Sequence, residues 1–270
     1  MHVKQPGLLP VVIGVALLFL VSFDKRAEAQ RIDLLKNSDG ASVGLQYFVD
    51  AKGNPITRKG WTNKEGVLQH TKGGGNLFFQ SEVGDFELRF DFMTVAGGNS
   101  GIKYRVAKYG NSWLGCEYQV QDDKDRLFNK HSTGSLYAVY EPSKSKKQNP
   151  PGEWNRARIV VRGSQIQHWL NDVLVVEASV GTDEWKERVA NSKFKPRTGF
   201  GENSIGRIMI QDHGTAVSYR NMVLTYGAEF ERQLEWDSEI VVSSGCCVQR
   251  VLGQCGPVIG PVRKLRWRCR

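Results

Sequence analysis

The densest group of polar side chains that could do chemistry lies on one predicted strand, Cys116 to Asp123. Successive side chains of a strand point to opposite faces, so Glu117, Gln119 and Gln121 share one face of it. Carboxylate and amide groups on one face could line a groove that hydrogen-bonds a sugar. Antiparallel sheets commonly leave one face in water, and an ordinary solvated face explains the same pattern equally well.

Glu117 is the leading acid/base candidate, because it opens this polar face. Arg105, on a neighbouring predicted strand, could simply pair with Glu117, or its planar guanidinium could stabilise an enolate or hold a hydroxyl. His213 is the other titratable candidate, because an imidazole ordinarily titrates at about pH 6.5. It stands beside Gly214, where capping a turn is an equally good explanation. The expected catalytic set is therefore Glu117, Arg105 and His213.

A further group of side chains could contact a bound sugar. These candidate substrate-binding residues are Asn99, Lys103, Gln119, Gln121, Gln211 and Trp169. For Asn99 and Lys103 an ordinary surface position is the simpler explanation. Trp169 could stack on a sugar ring, although tryptophan in a β-sandwich is more often a packing residue.

Other polar residues suit structural roles better. Asp122 and Asp212 alternate with apolar side chains, so we expect them to be hydrogen-bonded within the fold. His168 also alternates with apolar residues and is expected to be a satisfied core histidine. The run of Asp122, Asp123 and Asp125 is rich in oxygen ligands but lacks the glycine and glutamate of an EF-hand loop. No cofactor is expected, and calcium in this loop stays an open alternative.

Short strands separated by glycine-rich turns run through the chain. Phe86–Thr94 alternates cleanly, and its return strand Ile102–Val106 is expected to place Val106 in the core and Arg105 on the opposite face. Only Asp183–Val189 is predicted to be helical. Further strands are predicted at Gly66–His70, Asn76–Gln80, Thr133–Tyr137, Ala157–Arg162, Gln165–Leu170, Val173–Glu177, Gly206–Gln211 and Ala216–Tyr226. The pattern predicts an all-β fold, an antiparallel β-sandwich.

The N-terminus has the pattern of a secretory signal peptide. Lys4 precedes an apolar run from Leu8 to Val21, and Ala27-Glu28-Ala29 follows it, which predicts cleavage after Ala29. The apolar run is shorter than the roughly 20 residues of a membrane span. We therefore expect a secreted or periplasmic protein whose mature folded domain spans residues 30–227 and has no stable membrane span.

Charge and cysteine usage single out the C-terminus. The formal net charge is +9, of which residues 245–270 hold +6 and the leader +1, so residues 30–244 carry only +2. Residues 30–244 therefore lack the excess of positive charge that is typical of a nucleic-acid-binding domain. Residues 228–270 hold four of the five cysteines, in a spacing that fits no zinc ribbon. We expect this basic tail to be a poorly ordered appendage, or a mistranslated frame.

Seven motifs occur in an order that resembles the 3-keto-disaccharide hydrolase domain family, formerly a domain of unknown function, over about residues 32–226. They are Asn99-Ser100-Gly101-Ile102 with Tyr104-Arg105, Glu117-Tyr118-Gln119 with Asp122, Thr133-Gly134 with Tyr137, Gly152-Glu153-Trp154-Asn155, His168-Trp169-Leu170-Asn171, Gln211-Asp212-His213-Gly214 and Tyr219-Arg220-Asn221. The resemblance implies a concanavalin-like jelly roll and activity on glycosides that are already oxidised to a ketone at C3.

A C3 ketone acidifies the proton on C2, so a base could start elimination of the C1 substituent. The resemblance therefore implies cleavage of 3-keto-glycosides, either by elimination and hydration or by direct hydrolysis, and a sugar 3-dehydrogenase that supplies the ketone. The carboxylate spacing expected of a retaining glucanase on this fold, Glu-x-Asp-x-x-Glu, is absent, which disfavours an ordinary glucanase. A noncatalytic carbohydrate-binding module is the alternative, and an adhesion domain is a third.

Overall fold

A computed structural model describes residues 30–57, 59–124 and 128–227. The predicted leader and tail both lie outside these ranges. The described residues form thirteen strands and one helix. In chain order they are β1 (Gln30–Asp33), β2 (Phe48–Val49), β3 (Trp61–Lys64), β4 (Val67–His70), β5 (Leu77–Val83), β6 (Phe86–Thr94), β7 (Asn99–Tyr109), β8 (Ser112–Gln121), β9 (Asn155–Arg162), β10 (Gln165–Leu170), β11 (Val173–Ser179), α1 (Asp183–Ala190), β12 (Gly206–Ile210) and β13 (Val217–Tyr226).

The strands form two antiparallel sheets. The larger has eight strands in the order β11-β10-β9-β6-β13-β4-β3, with β1 also paired to β13. The smaller has five strands in the order β2-β5-β12-β7-β8. Aromatic rings join the sheets across the interior: Phe86 lies 5.8 Å from Tyr104, and Phe90 lies 5.6 Å from Tyr118, between ring centroids. The predicted all-β sandwich is thereby confirmed.

Side-chain alternation builds the core between the sheets. Phe86, Leu88, Phe90 and Phe92 of β6 are all buried in it, as the period of two predicts. The expectation for Val106 is wrong, because the β7–β8 register shifts after Tyr104 and Arg105 has a positive φ of 50°. An extra residue in a strand reverses the alternation beyond it. Val106 therefore packs with Phe78 and Met209 in a separate cluster.

The structure matches many predicted elements. The bounds of β6 and β10 are those expected, and the helix is one residue longer than predicted. Thr182 caps this helix by accepting a hydrogen bond from the Trp185 amide. Strands β1 to β3 were not predicted, because β1 and β3 are short and mostly polar and β2 has only two residues. The segment predicted as a strand at Thr133–Tyr137 forms turns with only isolated bridges.

Within the ranges that the structure describes, no helix has both the length and the apolar character needed to cross a bilayer.

Candidate active site on the smaller sheet

Strand β8 carries the candidate site on its face away from the core. Tyr118 and Val120 point into the sandwich, and Glu117 and Gln119 point to the opposite side. Cross-strand pairing sets Glu117 opposite Lys103 of β7. The polar face is therefore present where the alternation predicts it. It is buried rather than solvated, since Glu117 is only 4% exposed and Gln119 only 2%.

The Glu117 carboxyl occupies space that a glycine leaves open. A Cβ added at Gly101 would lie 2.5 Å from Glu117 Oε1, far closer than real Cβ atoms approach. On the other edge of β8, the Tyr137 amide donates to the Glu117 carbonyl at 2.9 Å. Glu117 therefore lies between Lys103 on one neighbouring segment and Tyr137 on the other.

Burial and nearby cations set the ionisation of Glu117. Lys103 Nζ lies 3.6 Å from Glu117 Oε2. Burial raises the pKa of Glu117, and the positive charges of Lys103, Lys193 and His213 oppose that rise. Partial burial lowers the pKa of Lys193, and the negative charge of Glu117 opposes that fall. A carboxyl and an ammonium group are thus both shifted towards neutral pH in one place, as at many sites of proton transfer.

Two residues of this site were not assigned a role from the sequence. Lys193 Nζ lies 4.1 Å from the centroid of the Tyr137 ring. Burial, followed by the negative charge of Glu117, raises the pKa of Tyr137. His131 packs edge-on against the same ring, at 5.1 Å between centroids. Both Tyr137 and Lys193 lie outside the regular strands and helix, where no periodic pattern signals the direction of a side chain.

Amide side chains continue the site along β8. Gln119 Nε2 donates to Asn99 Oδ1 and to Gln121 Oε1, each at 3.0 Å. The backbone N–H of Gln211 donates to the Gly101 carbonyl at 2.9 Å, which brings the end of β12 next to β7 at the same place. The structure therefore groups most of the predicted site residues: Asn99, Lys103, Glu117, Gln119, Gln121, Gln211 and, on an exposed turn, His213.

Arg105 does not lie beside Glu117, contrary to the expectation from strand parity. The bulge at its own position turns the side chain to the other face, where Nη1 donates to the Gly201 carbonyl at 3.1 Å. Its Nη2 donates to the carbonyl of Gly163, in the turn between β9 and β10. Arg105 is 3% exposed and links β7 to two distant backbone segments, at Gly163 and Gly201.

Trp169 also lies away from the site. It belongs to β10 of the larger sheet, and its neighbours Ile166, His168 and Leu170 fill the alternating core positions. The indole therefore points outward, where the Arg158 guanidinium lies 5.2 Å from its ring. Trp169 was a candidate for stacking on a bound sugar, but its strand belongs to the other sheet from Glu117.

The aspartates that follow β8 are engaged within the fold. Asp122 accepts from the amides of Gly97 at 2.8 Å and Lys124 at 3.2 Å. Asp123 lies 2.5 Å from Lys146 Nζ. The third residue of the calcium alternative, Asp125, lies outside the described residues. Among the residues that are described, no group of three or more His, Cys, Asp or Glu side chains could hold a metal ion.

Asp212 and His168 have the structural roles that the sequence suggests. Asp212 accepts from the Gly75 and Gly214 amides at 2.9 Å each, and lies 3.0 Å from His70 Nε2. In the core, His168 Nε2 lies 2.7 Å from Tyr104 Oη, and its Nδ1 lies 3.0 Å from the Gly134 carbonyl. Burial lowers the pKa of His168 to about 4, so this imidazole is neutral.

The arrangement can take a proton and stabilise the negative charge that results. A buried carboxylate whose pKa is raised is a stronger base than an exposed one. Ammonium groups held in a partly buried site can stabilise an oxyanion that forms beside them. Glu117 is placed to provide the first function, and Lys103 and Lys193 to provide the second.

The sequence and the fold match known proteins. Residues 44–225 match the family model described as a 3-keto-alpha-glucoside-1,2-lyase-like domain. The chain is 30% identical over 247 residues to a protein of Bacteroides thetaiotaomicron named 3-keto-disaccharide hydrolase, with 75% of this chain and 84% of that protein covered.

Two crystal structures from Parabacteroides distasonis, each described as a candidate glycosyl hydrolase, share the fold. One gives a TM-score of 0.60 at 27% identity, with 67% of this chain and 89% of that one covered. The other gives 0.54 at 22% identity, with 72% and 98% covered. The chain thus belongs to the family of 3-keto-alpha-glucoside-1,2-lyase-like domains.

Proposed function

We propose that this protein cleaves the glycosidic bond of glycosides that carry a ketone at C3, with Glu117 as the base. The observation that carries the proposal is the buried Glu117 carboxyl with Lys103 Nζ at 3.6 Å and Lys193 acting on it electrostatically. Membership of the family, together with a relative named 3-keto-disaccharide hydrolase, supports this substrate class.

The reaction begins at the carbon beside the ketone. Glu117 removes the C2 proton, and the electron pair is delocalised onto the C3 oxygen, where the Lys103 and Lys193 ammonium groups stabilise the enolate. The enolate then expels the C1 substituent, which leaves as an alcohol after it takes a proton. His213, on the exposed turn after β12, is the proposed donor. Water adds across the C1–C2 double bond and gives the free 3-keto sugar.

The site is a poor match for an ordinary glycosidase. Such enzymes use a pair of carboxyl groups that flank the scissile bond. The other acidic side chain buried next to β8, Asp123, is neutralised by Lys146 at 2.5 Å and is 3% exposed. Glu117 is therefore proposed to act without a carboxylate partner, which suits proton abstraction from an acidified carbon.

Two cationic side chains take over the role that the sequence suggested for Arg105. An enolate stabiliser must lie where the charge develops. Lys103 and Lys193 act on Glu117, whereas the Arg105 guanidinium is bonded to the carbonyls of Gly201 and Gly163. The proposed catalytic group is accordingly Glu117, Lys103, Lys193 and His213.

The substrate must come from an oxidoreductase that converts the C3 hydroxyl of a glycoside to a ketone. A noncatalytic sugar-binding module is the second candidate, and the row of Asn99, Gln119 and Gln121 amides favours it. The grouping of Glu117 with two lysines favours the enzyme, because sugar binding alone needs no carboxyl with a raised pKa.

A substrate pair tests the proposal directly. The purified protein is incubated with a 3-keto-glucoside and with its unoxidised parent, and release of the aglycone is followed in both. We expect release from the ketone alone. Release from both compounds would identify an ordinary glycosidase, and release from neither, with calorimetric binding of the parent sugar, would identify a binding module. Trp169→Ala is run beside the wild type as a control. Because its indole lies on the outside of the larger sheet, this variant should release the aglycone from the ketone as the wild type does.

A further inference from the structure

Four polar side chains form a continuous hydrogen-bonded row next to Glu117. Asp123 Oδ1 accepts from Gln121 Nε2 at 3.0 Å. Gln121 Oε1 accepts from Gln119 Nε2 at 3.0 Å, and the same Gln119 nitrogen donates to Asn99 Oδ1 at 3.0 Å. We call Asp123, Gln121, Gln119 and Asn99 the amide row. Every bond in it is between side chains, so the orientation of each amide depends on its neighbour.

The acidic end of the amide row is held rigidly. Asp123 is 3% exposed and accepts from Lys146 Nζ at 2.5 Å and from the Thr133 amide at 2.7 Å. Lys146 also donates to the Thr133 carbonyl at 3.3 Å. A carboxylate paired with an ammonium group can only accept hydrogen bonds. The Gln121 side chain must therefore turn its nitrogen, and not its oxygen, towards Asp123.

This constraint passes along the row. Because the Gln121 side-chain nitrogen faces Asp123, the Gln121 oxygen faces Gln119. Gln119 must therefore donate to that oxygen with its own side-chain nitrogen. That nitrogen has two acceptors, the side-chain oxygens of Gln121 and Asn99. These two residues pair with each other across β8 and β7, so both acceptors lie on the same side of Gln119. The Gln119 oxygen is therefore on the remaining side of the amide, away from the two acceptors.

That oxygen is left without a partner. Gln119 is 2% exposed, and its Oε1 is buried with no hydrogen-bond donor among the described residues. Ser135 lies beside Gln119, because its backbone carbonyl accepts from the backbone N–H of Gln119 at 3.3 Å. Its Oγ is likewise buried, with no hydrogen-bond partner among the described residues. Buried polar atoms are normally satisfied, and an exception beside a candidate site can mark the position of a ligand or an ordered water.

We propose that Gln119 Oε1 accepts a hydrogen bond from a hydroxyl of the substrate sugar, and that Asp123 and Lys146 are positioning residues that fix this acceptor. The proposal rests on the proposed function, since it names a substrate contact of the same site. Two residues along a strand are about 7 Å apart, a distance that one hexose ring with its substituents spans. This spacing suits a hydroxyl of the ring whose C2 proton faces Glu117.

The amide row thereby makes the site specific for a hydroxyl group. A hydroxyl can donate to Gln119 Oε1, whereas hydrogen or fluorine at the same carbon cannot. A site built to bond a hydroxyl rejects the analogue that lacks it, because a buried polar atom then stays unpaired. An Asn99 nitrogen that faces away from Gln119 could donate to the neighbouring hydroxyl of the same ring.

The test is a preference ratio measured on the full-length protein. The kcat/KM of a 3-keto-glucoside is divided by that of its 4-deoxy, 6-deoxy and corresponding fluoro analogues. For the wild type we expect a ratio of at least about 10 at one position. Asp123→Asn lets Gln121 and Gln119 reverse, so that the Gln119 nitrogen faces the sugar and a hydroxyl can still pair with it by accepting. The ratio to the deoxy analogue is therefore expected to persist, whereas the ratio to the fluoro analogue, which is the one compared among the variants, is expected to fall. Asp122→Asn is the matched control, because Asp122 accepts only from backbone amides and should leave the ratio unchanged.

Other variants keep the proposal open to refutation. If Asp123→Asn does not fold, Gln121→Leu breaks the row in its middle and is expected to lower the ratio in the same way. Gln119→Leu should abolish the preference, and adding Asp123→Asn to it should change nothing further. A folded Asp123→Asn or Gln121→Leu protein that retains the wild-type ratio overturns the amide row as a positioning device.

The hydroxyl-binding subsite at Gln119 and the proposed function can be rejected separately. Calorimetry with the unoxidised sugar and its deoxy and fluoro analogues gives the same preference ratio without turnover. A wild type that does not cleave the ketones but binds the parent sugar with this preference would overturn the proposed function and support the subsite. A wild type that cleaves the ketones without any hydroxyl preference would support the function and overturn the subsite.

Discussion

The two faces of β8 carry polar groups that are equally buried but differently satisfied. On the core face, His168 lies within hydrogen-bond distance of Tyr104 and Gly134, and the Tyr118 hydroxyl donates to the Trp169 carbonyl at 3.0 Å. On the other face, Glu117 has a lysine at 3.6 Å, and Gln119 keeps an unpartnered oxygen. Burial therefore does not distinguish the two faces of β8, whereas hydrogen-bond satisfaction does.

The comparison predicts opposite consequences for changes on the two faces. Substitutions on the core face should cost stability and spare the activity of the folded protein. Substitutions on the Glu117 face should cost activity and leave stability unchanged or higher, because charged groups there are buried at a cost.

The largest effect is expected for Glu117→Gln. It removes the proposed base while it keeps the size of the side chain, so kcat should fall by about 10²- to 10⁴-fold. The midpoint of urea unfolding should stay the same or rise, because the buried carboxyl no longer has to be desolvated. Glu177→Gln on β11 is the matched control, and it should retain wild-type turnover. Wild-type kcat in Glu117→Gln would reject Glu117 as the base.

The second effect concerns the core face and pH. The pKa of His168 is lowered by burial to about 4, whereas an unfolded histidine titrates at about 6.5. Between these values the unfolded chain binds the proton and the folded chain does not. The stabilisation is thus complete above about pH 6.5 and is lost as the pH falls towards 4, by up to about 3 kcal/mol.

Urea unfolding at pH 7 and pH 4.5 measures this dependence. His168→Gln should be less stable at pH 7 and should show a flatter dependence over the same range, with the activity per folded molecule little changed. An equal loss of stability in wild type and variant between the two pH values would mean that His168 is not the titrating group.

A smaller effect is expected when Lys193 is replaced by Met. The positive charge of Lys193 opposes the rise in the pKa of Glu117, so its loss should raise that pKa further. The acid limb of kcat/KM should therefore move to higher pH, with an activity loss of about 3- to 30-fold near that limb. Lys195→Met, on the same loop, is the control variant. A limb that moves to lower pH would contradict the assigned interaction.

The smallest effect is expected for Trp169→Ala. Its indole lies outside the larger sheet against Arg158, so kcat/KM should change by less than about twofold. A rise in KM of tenfold or more would show that a sugar contacts the outer surface of the larger sheet, and that the Glu117 face of β8 is not the whole binding site.

Much of the fold and part of the site follow from the sequence because strand alternation is a local property. The pattern of Phe86–Thr94 identified a core strand, and the pattern from Glu117 to Gln121 identified a polar face. Arg105 could not be placed in this way, because a one-residue bulge at its position reverses the alternation. Trp169 could not be placed relative to Glu117 either, because parity does not tell which sheet a strand joins.

The sequence by itself determined the all-β fold, the family and the polar face of β8, because hydrophobic period and ordered motifs are encoded in short segments. Only the tertiary structure decided which groups surround Glu117. Tyr137 and Lys193 come from segments far apart along the chain, and Gly101 leaves space that the carboxyl fills. The ionisation of Glu117 and the orientation of the Gln119 amide depend on these long-range contacts, and no local pattern encodes them.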